Sequence, residues 1–442
     1  MKHFDYLLIG GGIASVAAAQ SIRERDGGSI LILKDEPRPP YDHPPLSKDY
    51  LKRREIGEGE AYSKEETFYR QRGIDLRTGV RVTAIDTSAQ TVTTDRDERL
   101  HYGKLLLATG SSARRLEVPG AHAPNVFTLR TLDDSLALRQ AFEPAQRVLV
   151  VGAGYIGMEV AAAAAQRGLQ VTVVDPEPYP FRKFASETFG NFIKRYFTRK
   201  GVRFLLGNEV ACIDCDPETG MAHSVCLKSG QPVPTDVVVT GVGAKLNLDL
   251  AISAGLETDE TEGVLADEFL RTSAPNVYVA GDIAYFKDII LGKRWHAEHH
   301  LNAKWQGEAV GRNLAGEVEP YNRVAYFFSD LFDIHMILRG DPKGGEGRAL
   351  LGDIEGAEFI ELYGDEEDRL TMGVAVSRDE TKLGGISDTL DRMIRERVSI
   401  PQAVSRLSES ERTSFIGLPS MAAVLGMIAG SEALHFLPAW NR

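Results

Sequence analysis

Two glycine turns, each set between a short apolar strand and an alanine-rich helix, constrain this chain more than any other feature. Residues 4–9 (FDYLLI) read as a buried strand, Gly10-Gly11-Gly12 as a turn, and the run from Ile13 to Ile22 as a helix. Residues 29–33 (SILIL) read as the next strand. The order recurs with its turn 142 positions later: a strand from Val148, a turn at Gly152-Ala153-Gly154, a helix from Ile156 to Gln166 and a return strand from Val171. Parallel strands joined by helices make the class α/β. Two such units predict two dinucleotide-binding, Rossmann-like domains.

The glycines have separable tasks. In Gly10-x-Gly12-x-x-Ser15, Gly10 permits the tight turn and Gly12 lets a pyrophosphate approach the backbone. A small third residue, here Ser15, lets helix and strand pack closely. The phosphates then meet the free N–H groups of a helix N-terminus. An acid at the end of the second strand should hold the ribose hydroxyls, and Asp35 and Glu36 stand 25 and 26 residues after Gly10. The second turn, Gly152-x-Gly154-x-x-Gly157, has the complete pattern. Its acid is Asp175, 23 residues on. A carboxylate there repels a 2′-phosphate and so predicts NADH over NADPH.

The rest of the chain divides around these units. Residues 74–107 and 202–240 both carry alternating runs that predict a small antiparallel sheet, so a whole domain is repeated. The texture changes after about residue 320, and a charged helix is expected over Asp388–Arg397. The expected organisation is a discontinuous first dinucleotide-binding domain (1–115 and 246–320), a second dinucleotide-binding domain (116–245), a C-terminal α+β domain (321–410) and an apolar tail (411–442). The 442 residues hold 63 acidic and 51 basic side chains, which argues against nucleic acid or an anionic membrane as the main partner. Three cysteines make no disulfide scaffold and point to a reducing, cytoplasmic setting. The glycine turn follows Met1 too soon to leave room for a signal peptide, and no transmembrane segment is expected.

Further motifs carry a resemblance. Residues 40–48 (PYDHPPLSK), Leu107-Ala108-Thr109-Gly110, the second glycine turn with Glu159, residues 277–282 (VYVAGD), Glu298-His299-His300 and residues 327–330 (FFSD) occur in order. Over about residues 1–405 the chain resembles the flavoprotein reductases of the glutathione-reductase fold, in particular oxygenase ferredoxin reductases and apoptosis-inducing factor. The resemblance implies FAD on the first unit and NADH on the second. It implies that Gly281 and Asp282 bind the ribityl and phosphate part of the flavin. Thr109-Gly110 would return the chain to the NADH domain, Arg130 would lie near the FAD, and Gly241 and Gly243 near the nicotinamide. It makes Lys48 the candidate for a positive group near the flavin N5, with Glu159 as its partner, since opposite charges keep each other ionised where water is excluded. The alternative for Lys48 is a solvated surface charge. His299 reads either as a residue over the flavin and nicotinamide or as an ordinary helix histidine; His300 is left undecided. Phe328 reads either as an aromatic beside the flavin or as core. His43 stands where the family has Arg in contact with FAD, and an imidazole there would be free to titrate near neutral pH.

Disulfide reductases of this fold need cysteines just after the first unit's second strand, and residues 36–60 contain none. Cys212-x-x-Cys215 comes too late to serve, and residues three apart on a strand face opposite ways. The three cysteines are therefore read as structural, and no metal site is expected. Electrons should leave the flavin directly for a ferredoxin-type acceptor. The alternatives are an NADH-gated redox and binding protein like apoptosis-inducing factor, and a peripheral NADH:quinone reductase. Residues 413–431 carry no charge, and Met421, Val424, Leu425 and Ile428 fall on one helical face. Pro419 leaves too short a run to span a bilayer. The tail is read as packing on the protein's own third domain or on a homodimer partner, with membrane contact or partner binding as alternatives.

Overall fold

In a computed structural model of the chain, residues 1–410 are described; the tail expectation lies outside them. The first compact unit runs from Met1 to Phe332, and a second begins at Asp333. The first unit contains both glycine turns. Its division from the second falls later than residue 320, so the FFSD segment belongs to the first unit.

The first turn joins the strand Lys2–Ile9 to the helix Ile13–Arg23, which leads to the strand Ile30–Leu33. These strands pair in parallel: Lys2–Ile9 lies between Ile30–Leu33 and Arg99–Leu107, and Ile30–Leu33 continues to Ile74–Arg77. Residues 74–107 do not form a sheet of their own. Their outer strands Ile74–Arg77 and Arg99–Leu107 have buried apolar positions and enter the parallel sheet, and only Val82–Asp86 and Thr91–Thr94 add an antiparallel hairpin at its edge. The strand Val277–Val279 pairs with the far side of Arg99–Leu107, so residues well past the second turn complete the first sheet.

The second turn sits in a parallel sheet of the strands Arg203–Leu206, Gln170–Asp175, Arg147–Val151, Val237–Thr240 and Val126–Thr128, in that order. Here too, the ends of the expected small sheet are absorbed. The middle remains separate: Val210–Cys215, Ala222–Leu227 and Pro232–Pro234 form a three-stranded antiparallel sheet. The second unit contains an antiparallel sheet of Ile334–Gly340, Leu370–Ser377, Glu358–Gly364 and Glu346–Asp353. The helices Glu380–Arg395 and Ile400–Ser410 follow it. Among the described residues no helix is long and apolar enough to cross a membrane.

Close helix packing holds the first turn in place. The helix His300–Leu314 crosses the helix Ile13–Arg23 so tightly that a Cβ on Gly307 would lie 2.1 Å from the Ala14 carbonyl oxygen, and one on Gly311 would lie 2.5 Å from that of Ala18. Neither glycine can gain a methyl group unless the backbones part. Gly384, exposed on the helix Glu380–Arg395, has open space around it. Gly307→Ala is expected to destabilise the holoprotein by about 1–3 kcal/mol through overpacking. Gly384→Ala is expected to stabilise it by about 0.5–1 kcal/mol through helix propensity. Urea unfolding followed by tryptophan fluorescence and circular dichroism measures both; effects of the same sign would contradict this packing.

Candidate functional site

The strand Arg147–Val151 delivers the chain to Gly152, whose φ of +107° no residue with a side chain adopts at ease. The turn opens a cavity whose lining includes Gly152, Gly154, Asp175, Gly241 and Gly243, with Arg130 from just after the strand Val126–Thr128 of the same sheet and His43 from the first glycine-turn region. Gly157 is placed for packing rather than lining: a Cβ on it would come 2.0 Å from the Gly152 carbonyl oxygen. The Asp175 carboxylate accepts the Ala153 N–H at 2.6 Å and the Glu177 N–H at 2.8 Å, which fixes the end of its strand against the turn.

The first turn provides a comparable cradle. Gly10 has φ +106°, and a Cβ there would lie 2.1 Å from the Ala108 carbonyl oxygen. A Cβ on Gly12 would meet nothing within 4 Å. The helix that follows has no side-chain cap, and the buried Ser15 hydroxyl has no hydrogen-bond partner. Open space, uncapped N–H groups and an unpartnered hydroxyl are what a pyrophosphate needs, so these residues fit FAD. Asp35 is exposed and lies 3.7 Å from Arg81. Glu36, beside it, is turned inward, where it accepts the Tyr41 hydroxyl at 2.6 Å and meets the Lys34 ammonium at 3.3 Å.

Thr109 and Gly110 are tied to the later crossing: the Thr109 hydroxyl donates to the Asn247 carbonyl at 2.8 Å, and the Asn247 amide donates back to the Thr109 carbonyl at 3.0 Å. Gly281, at φ +81°, donates its N–H to Gln306 Oε1 at 2.8 Å. Asp282 accepts the Ser111 hydroxyl at 2.7 Å and Arg130 at 3.0 Å. Burial disfavours its charge, but Arg130 and Ser111 outweigh burial and hold the carboxyl below its ordinary pKa.

Lys48 and Glu159 come together from segments far apart in sequence. The Lys48 ammonium lies 3.6 Å from Glu159 and 3.1 Å from Asp330, and 4.4 Å above the Phe328 ring. Glu159, only 6% exposed, accepts hydroxyl hydrogen bonds from Ser47 and, at 2.6 Å, from Ser329. Burial raises the Glu159 pKa, opposed by Lys48 and the two serines. His299 occupies the N-cap position of the helix His300–Leu314 on a strained backbone, φ +153°, without a capping hydrogen bond from its side chain, and its Nε2 accepts the Phe328 N–H at 3.3 Å. Its Nδ1 and that of His300 are buried without partners.

The expectation that His43 titrates near neutral pH meets a different environment. Burial, with Arg130 next, pulls its imidazole down to about 3. Burial does the same to His299, also to about 3. Sequence spacing carried no sign of several site residues. Ser47, Ser329 and Asp330 lie inside recognised segments, but a hydroxyl aimed at a distant carboxylate has no periodicity. Tyr155 lines the cavity with its ring edge-on to Phe181 at 5.1 Å and its buried hydroxyl unpartnered. Burial, then the Glu159 charge, raises its pKa.

The sequence profile of the pyridine nucleotide-disulphide oxidoreductase family matches residues 4–307. The chain is 32% identical over 379 residues to the 3-phenylpropionate/cinnamic acid dioxygenase ferredoxin–NAD(+) reductase component of Photorhabdus laumondii, covering 86% of this chain and 94% of that protein. It is 33% identical over 382 residues to rubredoxin-NAD(+) reductase of Pseudomonas putida, covering 86% and 98%. Among solved structures, the reductase in the covalent putidaredoxin reductase–putidaredoxin complex superposes with a TM-score of 0.86 at 26% identity, covering 93% of this chain and 99% of that one.

Both lowered histidines bear on acid stability. An unfolded imidazole binds a proton as pH falls below about 6.5, whereas the folded ones stay neutral until about 3. The unfolded state therefore holds more protons in that window, and stability drops as pH falls. His43→Gln and His299→Gln should each flatten the acid limb between pH 6.5 and 4, measured as melting temperature against pH. An unchanged slope in both would mean that neither imidazole is held neutral.

Proposed function

The chain belongs to the pyridine nucleotide-disulphide oxidoreductase family, and from that premise we propose an NADH-dependent FAD reductase that passes electrons singly to a ferredoxin-type protein. The observation that carries this reading is the buried Lys48–Glu159 pair beside Phe328, in a chain with no cysteine in residues 36–60 to take electrons from a flavin. The names of the relatives favour it over a gated binding protein or a quinone reductase. FAD held by the first glycine turn would supply the redox chemistry that links a two-electron hydride donor to a one-electron acceptor.

The protein's part is placement and electrostatics. Gly10, Gly12 and Ser15 take the FAD pyrophosphate, Asp35 its adenosine ribose, and Gly281, Asp282 and Arg130 the ribityl side, within a domain of residues 1–115 and 246–320. Gly152, Gly154 and Gly157 bring NADH to the second helix N-terminus, within residues 116–245. Asp175 holds the adenosine ribose, and Gly241 and Gly243 leave the cavity open to the nicotinamide. Lys48 supplies positive charge toward the flavin, and Glu159 holds the ammonium in position. His43 and His299, kept neutral, add hydrogen-bonding capacity without adding charge. The described residues from Asp333 on form the C-terminal α+β domain, whose start the sequence suggests at residue 321. The three free cysteines suit a reducing cytoplasm.

The test is an anaerobic NADH titration of the holoprotein followed in the visible spectrum, then turnover with an added ferredoxin-type acceptor. Rapid bleaching followed by turnover is expected. Bleaching with an air-stable long-wavelength band and no turnover would overturn the reductase reading. Lys48→Met is expected to slow flavin reduction on the order of 100-fold with little change in NADH affinity; a loss of affinity alone would refute the role given to Lys48. Asp175→Ala should weaken NADH far more than NADPH, read as KM for each; equal losses would refute that assignment.

A further inference from the structure

The small antiparallel sheet on the second glycine-turn domain carries a cluster that the reductase chemistry does not use. Its strands Val210–Cys215 and Ala222–Leu227 pair with Cys212 opposite Cys226 and Asp214 opposite Ser224. Residues two apart share a face, so all four side chains stand on one side of the hairpin. The other side is apolar: Ile213 and Val225 pack into the core with Leu149, and Cys215 joins them. The sequence pair Cys212-x-x-Cys215 is therefore split between faces, and the thiol that meets Cys212 comes from the neighbouring strand.

The geometry is compact. The Cys226 sulfur lies 2.8 Å from Asp214 Oδ2, and the Cys212 sulfur 3.6 Å from Asp214 Oδ1. The three ligand atoms all lie within 4.8 Å of one another. The Ser224 hydroxyl donates to Asp214 Oδ2 at 3.1 Å. Among the described residues no ion pair joins Asp214 to a basic side chain. A tetrahedral ion with sulfur at about 2.3 Å and oxygen at about 2.1 Å needs its ligands about 3.5–3.8 Å apart. These three atoms already approach that spacing on two paired strands, of which Ala222–Leu227 is paired on both sides and Val210–Cys215 on one.

We propose that Cys212, Asp214 and Cys226 bind a thiophilic divalent cation of the zinc class, with water as the fourth ligand. Two sulfur donors select against magnesium and calcium, which prefer all-oxygen sites. Each thiol releases its proton to solvent as its metal–sulfur bond forms, and no electrons change hands. Ser224 is a positioning residue that orients Asp214 from behind. This sets aside the expectation that the cysteines are structural and that no metal site exists. The ion would join two strands whose register slips on either side of the cluster, between Val210 and Cys212 and between Asp214 and Cys215.

The test uses the reduced holoprotein, stripped of metal by dialysis against a chelator, with Cd²⁺ and Zn²⁺ added alone. One equivalent of Cd²⁺ should produce the ultraviolet thiolate-to-cadmium band, and Zn²⁺ should displace it and raise the melting temperature. Cys212→Ser and Cys226→Ser should each abolish the band, Ser224→Ala should weaken binding on the order of tenfold, and Cys215→Ser should change nothing. Flavin absorbance and far-ultraviolet circular dichroism confirm that each variant is folded. Three results would overturn the site: no band at stoichiometric Cd²⁺, a band that survives loss of both Cys212 and Cys226, or a Cys212–Cys226 disulfide that persists in reductant.

Discussion

Glu159 is a carboxylate that the fold keeps out of water, and the arrangement of the site follows from what it takes to keep it there. An isolated ionised carboxylate in a protein interior costs several kcal/mol. Here two hydroxyls and one ammonium partly offset that cost, and with the carboxylate they arrive on three separate stretches of chain. Ser47 and Lys48 come from the turn after the first unit's second strand. Glu159 comes from the helix after the second glycine turn, and Ser329 from the strand Tyr326–Leu331. Such a cluster adds little net stability, but any misplacement of one segment leaves a buried charge unsatisfied. It therefore fixes the relative positions of these three segments.

The same logic accounts for the charges nearby. Asp282 is kept ionised by Arg130 and Ser111, while His43 and His299 are kept neutral by the same buried surroundings. Desolvation penalises every charge: at Asp282 the charged and hydrogen-bonding partners outweigh it, whereas at Glu159 burial still raises the pKa. Lys48 has two such partners, Glu159 and Asp330, and lies over an aromatic face that also favours a cation. Lys48, Glu159, Arg130 and Asp282 thus each have an oppositely charged partner within ion-pairing reach.

What could be read from sequence divides along a physical line. The glycine turns were legible because a positive φ and a close backbone approach are local demands that only glycine meets cheaply. Lys48 and Glu159 were legible only through resemblance, since nothing at positions 111 residues apart announces a contact. Ser47, Ser329 and Tyr155 escaped because their roles arise from tertiary placement. The cysteines show the sharpest case. Counting along one strand separated Cys212 from Cys215 correctly, but the partner that matters, Cys226, is set by hairpin register, which bulges on both sides shift away from simple counting. The extent of the small sheets was misjudged for a related reason: alternation marks a strand but does not say which sheet will take it.

The two glycine turns also differ in how they achieve the same approach. In the second, the third-position glycine itself admits the Gly152 carbonyl, at 2.0 Å from where its Cβ would stand. In the first, that position is Ser15, fully buried, with its hydroxyl left without a protein hydrogen-bond partner. Close packing against the same helix comes in addition from Gly307 and Gly311 on the helix His300–Leu314, which let that helix sit against Ala14 and Ala18. The departure from the glycine pattern at Ser15 thus adds one buried, unpartnered hydroxyl beside the first turn, in a helix that its neighbour approaches through glycines.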